Sequence, residues 1–155
     1  MTLDTSRDTS GVSSVRPGFP TASPYLVFND PEQAIDFYHQ ALGAVELSRQ
    51  ADADGRIRHV EFRVGDSTFM ATTTNSEFPF MRSAEEMGGS PVQFFLYVEG
   101  VDARFQRALD AGAEVVMPVA DQTYGRSGGF KDPFGIIWWL STYREPEKTV
   151  GPGGR

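Results

Sequence analysis

Apolar and polar positions follow two periods along this chain, and the switches between them fall on Gly, Pro and Asp. The run "PYLVFN", residues 24–29, reads as a short apolar strand opening on a proline, which a first strand position tolerates. In "DPEQAIDFYHQALG" the spacing changes to that of a helix. Ala34, Ile35, Tyr38 and Leu42 form one apolar face, with Phe37 and Ala41 on its border. Asp30 suits the N-cap, Pro31 the first helical position and Gly43 the end. The period then returns to two. "AVELSRQ" predicts a strand, "DADG" a hairpin turn, and "RIRHVEFRV" a strand with Val60, Phe62 and Val64 on one face. The turn "GD" leads into a last strand, "STFMATTT".

The second half repeats the order. "PVQFFLYVEG" predicts a strand, "VDARFQRALDAG" a helix, "AEVVMPVA" a strand, "GRSGGFKD" a weak strand and "IIWWLST" the last one. A shift of 70 places Leu26 on Leu96, Gly65 on Gly135 and Phe69 on Trp139, while Gly43-Ala44 meets Gly112-Ala113 with a slip of one residue. The prediction is an α+β fold of two tandem βαβββ modules, about 22–75 and 91–144, within one domain over 19–145. Their strands are expected to form a curved mixed sheet with helices on the convex side and a concave cup. Residues 1–18 and 146–155 read as a disordered leader and tail.

Composition narrows the function. The 155 residues carry a net charge of −7, with a pI near 4.8. Phosphate contacts need clustered Lys and Arg, so nucleic acid is not expected as a partner. There is no cysteine, hence no disulfide, thiol nucleophile or thiolate metal site. No run reaches the roughly 20 apolar residues of a membrane span, and the N-terminus lacks a secretory signal, so a cytoplasmic location is expected. The acidic surface steers cationic small molecules towards the protein.

The two strand–helix–"GA" units, "GRIRHVEFRVGDSTFM", "GGSPVQFFLYVEGVDARFQRALDAGAEVVMPVADQTYG" and "DPFG" together resemble the vicinal-oxygen-chelate superfamily of glyoxalases, bleomycin-resistance proteins and extradiol dioxygenases, and within it the PhnB-like branch. That resemblance implies metal ligands on the first and last strand of each module. By the repeat register these are Ser23, Phe69 (or Ala71), Gln93 and Trp139, of which Gln93 alone is a plausible donor. The histidine that many PhnB-like chains carry after "DPFG" is Ile136 here. No metal and no cofactor are therefore expected.

The cup is expected to be lined by aromatic rings and one polar corner. In "IIWWLST" Trp138 and Leu140 turn to the core, while Ile137, Trp139 and Ser141 turn to the cup, where Phe69 is expected to face Trp139. Tyr25, Phe95 and Tyr97 join them. Alternation puts His59, Glu61 and Arg63 on the same side, with Gln93 nearby and Tyr124 and Arg126 on a candidate lid. A small, aromatic organic ligand fits such a lining. The resemblance implies a homodimer that sequesters an antibiotic or toxic metabolite without metal. The alternative is a metal-independent or atypical-metal lyase or isomerase on a small carbonyl or aromatic compound, with His59 as base and Glu61 orienting it.

Overall fold

The computed structural model describes residues 14–145; most of the expected leader and the expected tail lie outside the described residues. Each half is a βαβββ module. The first contains β1 (Tyr25–Phe28), α1 (Pro31–Leu42), β2 (Val45–Ala51), β3 (Ile57–Val64) and β4 (Ser67–Thr73). A short helix, α2 (Ala84–Met87), lies in the connector. The second module contains β5 (Phe94–Tyr97), α3 (Val101–Asp110), β6 (Glu114–Gln122), β7 (Gly125–Lys131) and β8 (Ile137–Tyr143). The strands form two four-stranded mixed sheets, ordered β1-β4-β3-β2 and β5-β8-β7-β6, rather than one continuous sheet. In each, the first strand runs parallel to the last and the remaining pairs are antiparallel.

The local signals act where the sequence puts them. Asp30 caps α1, its carboxylate accepting from the amides of Glu32 and Gln33, and Gly43 ends the helix at φ 67°. β6 carries Pro118 within a stretch of irregular pairing to β7, where a missing N–H is tolerated. The glycine-rich β7 is a full strand paired on both sides, because its missing side chains make room: a Cβ on Gly128 would sit 2.8 Å from Val119.

The two sheets share one core. Tyr38 of α1 stacks on Phe62 of the first sheet at 5.6 Å and meets Trp138 of the second at 5.2 Å. Phe69 touches Phe62, Phe94 and Trp138, and Phe37 reaches Phe130. α1 therefore buries more than the single stripe that periodicity predicts, Phe37 and Ala41 included, since its own sheet covers one side and α3, Phe130 and Trp138 of the second module the other.

Asp132, from the "DPFG" turn, ties this core together. Its Oδ2 accepts from the Tyr38 hydroxyl at 2.6 Å and from the Trp138 indole N–H at 2.9 Å, and its Oδ1 accepts from the amides of Phe134 and Ile136. Burial pushes its carboxyl above the ordinary value, and these four donors pull against that rise. Burial and the neighbouring carboxylate likewise push the Tyr38 phenol well up, so it stays a donor.

Asp132→Ala strands four buried donors, and urea unfolding should show a loss of at least about 3 kcal/mol, against about 1–2 kcal/mol for Tyr38→Phe, which removes one. Equal, small losses from both would remove Asp132 from this role.

Candidate functional site

Because inner-face side chains of both sheets meet in one core, the outer faces look away from each other. The expected lining of one cup is thus split between two outer faces, a half-cup on each. Strand register defines each. Across the first sheet Tyr25 pairs with Met70, Met70 with Glu61 and Glu61 with Ser48. Across the second, Phe95 pairs with Trp139, Trp139 with Gly129 and Gly129 with Met117.

This register corrects one expectation. Met70 stands to Tyr25 as Trp139 stands to Phe95, so Phe69 is the counterpart of Trp138 and is buried in the core rather than facing Trp139. The one-residue slip at Gly43-Ala44 was the signal: carried forward, it replaces a shift of 70 by one of 69 at β4. Arg126 is a second correction. It shares the inner side of β7 with Phe130 and binds Asp102 at the start of α3 through two bonds of 2.7 and 2.9 Å, with Asp121 at 3.4 Å, so it is no lid over an outer face. Tyr124 lies half exposed in the β6–β7 turn, away from the Trp139 row.

The other residues lie on the outer faces in two groups. On the second sheet, Phe95 and Tyr97 are 47% and 69% exposed, with ring centroids 5.2 Å apart. Trp139 is half-buried, its indole N–H donating to Gln93 Oε1 at 2.8 Å. Its ring lies flat over Gly129, where a Cβ would come within 2.6 Å of Cε3. Ser141, two residues on, is fully buried, with no hydrogen-bond partner for its hydroxyl among the described residues. On the first sheet, Tyr25 is 50% exposed and stacks on His59 at 5.9 Å. Arg63 is exposed beside Val45 and Thr68.

Glu61 is the polar centre of that half-cup. His59 Nε2 lies 3.0 Å from Oε1, and the Ser48 hydroxyl donates to Oε2 at 2.9 Å. Arg16 Nη1 donates to both oxygens, at 2.6 and 2.8 Å, from the segment preceding β1. No sequence pattern points to Arg16, which sits 45 residues away from its partner. Burial alone raises the Glu61 carboxyl, but the bonds from His59, Ser48 and Arg16 together outweigh it and hold the group below its usual range.

The corrected register also tests the metal that the fold family implies. The first- and last-strand positions hold Ser23, Met70, Gln93 and Trp139: a hydroxyl, a thioether, an amide and an indole. The amide oxygen already accepts from the indole. Among the described residues no three His, Cys, Asp or Glu side chains converge. A divalent ion needs three or four good donors, so these residues do not fit one at that place.

Two βαβββ modules packed on one core, each with exposed rings on the outer face of its sheet, define the class of fold. A model of the Glyoxalase/Bleomycin resistance protein/Dioxygenase superfamily matches residues 21–140, and the chain belongs to that superfamily. The uncharacterized protein Rv0887c of Mycobacterium tuberculosis is 45% identical over 127 residues, 78% of this chain and 73% of that protein. The crystal structure of TioX from Micromonospora sp. ML1 is similar with a TM-score of 0.61 at 29% identity, over 81% of this chain and 97% of TioX. A PhnB protein from Bacillus cereus shares the fold, at a TM-score of 0.60 and 18% identity over 79% of this chain and 99% of its own. Among the described residues no helix is long and apolar enough to cross a membrane.

Two outcomes are expected. Gly129→Ala should lift the Trp139 ring, shifting tryptophan emission and costing about 1–3 kcal/mol in urea unfolding; an unchanged spectrum would contradict the stacked ring. For Glu61, a folded-state pKa below the unfolded value means its stabilisation is complete above the unfolded pKa and is lost as pH falls through the lower folded one. Acid titration followed by backbone NMR should therefore release Arg16 and its neighbours only well into the acid range, and Glu61→Gln should remove that transition.

Proposed function

We propose that the protein is a cytoplasmic homodimer that binds and sequesters a small aromatic organic compound, an antibiotic or toxic metabolite, without metal chemistry. Each cup is closed between two copies, the outer face of the first sheet of one chain opposing that of the second sheet of its partner. One observation carries the reading: within a chain the half-cups face apart, yet each exposes rings that an isolated soluble surface has little reason to hold together. The Trp139–Gln93 bond supports it further, since a fixed indole offers a flat stacking surface, and such pairs add about 0.5–1.5 kcal/mol beyond burial. The similarity to TioX and the bleomycin-resistance membership of the superfamily are consistent with this class of activity.

The His59–Glu61 contact supports a second reading, in which His59 acts as a base on a bound carbonyl compound. His59→Gln separates the two, because a binding protein keeps its ligand and has no turnover to lose.

The test begins with native mass spectrometry and a panel of planar aromatic antibiotics. For the compound that binds best, Tyr25→Ala and Trp139→Ala are each expected to weaken binding tenfold or more, with thermal unfolding little changed. Mixing the two variants in equal amounts should restore one cup in each mixed dimer, about a quarter of all sites, since that cup carries neither substitution. A monomer, or a mixture as weak as either variant, would sink the two-chain cup.

A further inference from the structure

Glu61 is a nearly buried carboxylate, its side chain 5% exposed, closed off by a cation that is itself 57% exposed. Arg16 comes from ahead of the first strand, touches Glu61 through one nitrogen, and rests its guanidinium 4.3 Å from the Phe19 ring centroid. Beneath it, Ser48 and His59 hold the carboxylate from two sides, and the stacked Tyr25–His59 pair adds an aromatic wall. This is a place built around a cation: a fixed anion, rings alongside, and an occupant more than half exposed.

We propose that Glu61, with Ser48, His59 and Tyr25, is the subsite for a guanidinium, amidinium or ammonium group of the ligand, and that Arg16 is a built-in competitor filling it in the ligand's absence. The proposal rests on the reading of the first sheet's outer face as a ligand wall, and it names the chemistry that wall selects. Exchange of one cation for another keeps Glu61 paired throughout, so the heavy cost of a buried, unpaired carboxylate is never incurred. A flat cation gains from the rings what Arg16 gains from Phe19. The net charge of −7 draws such ligands in.

The probe is benzamidine, with neutral benzamide as its near-isostere, measured by isothermal titration calorimetry on the full chain. Removing the competitor in Arg16→Ala should tighten benzamidine binding by about tenfold, as expected when the open form ceases to be a minor state. Glu61→Gln should weaken it by at least as much, and benzamide should respond to neither substitution. Arg16→Lys, which keeps a cation, should stay near the wild type. Unchanged, weaker or absent benzamidine binding in Arg16→Ala overturns the proposal, as does a parallel gain for benzamide. Arg16 is exposed enough for its variants to fold even if Glu61→Gln does not. Trp139→Ala separates this idea from the two-chain cup. If it leaves the Arg16 effect intact and aromatic binding unharmed, the cup fails and the subsite stands; if it abolishes aromatic binding while Arg16→Ala changes nothing, the reverse holds.

Discussion

The Asp132 carboxylate is the constraint on which the arrangement of this protein depends. It receives a hydroxyl from the first module, an indole from the second and two amides from its own turn. Leaving any of these donors unmet in a dry core is costly, so the modules have one way to meet. Fixing Tyr38 against Trp138 packs α1 against α3 and brings the rings on the inner faces of the two sheets into one cluster. The outward direction of the opposite faces follows from that single contact.

Strand alternation then separates two chemistries that share a backbone. On β8, Trp138 is fully buried and hydrogen-bonded, while Trp139 next to it lies over Gly129 with one side open. On β3, Val60 and Phe62 pack inwards while His59 and Glu61 turn out. The paired tryptophans thus mark a boundary, one ring serving the core and its neighbour the surface.

Much of this was legible in the sequence because it is encoded locally. The cap at Asp30, the stop at Gly43, the alternation around Glu61 and the order of elements in each half need only nearest neighbours to be read. The split of the strands into two sheets was not, since it depends on tertiary contacts between modules. Phe69 was misplaced for a more specific reason. A constant shift between repeats ignores the residue lost at the end of the helix, and a slip of one residue moves a strand side chain to the opposite face. Arg126 was drawn to an outer face by its neighbouring glycines, but its position two before Gly128 and four before Phe130 already set it on the inner side. Arg16 had no local signal at all, because its partner lies on β3, with β1, α1 and β2 between them.

The separation of inner from outer face has an evolutionary consequence. Most substitutions destabilise, and a protein near its stability threshold tolerates few. Here the residues that fasten the modules and those that line the concave faces occupy alternate positions on the same strands, so surface replacements leave the Asp132 junction and its rings untouched. A lineage can therefore exchange one set of outward side chains for another and retain a folded molecule at every step. Such a scaffold is free to drift between ligands, or between binding and catalysis, faster than its fold can decay.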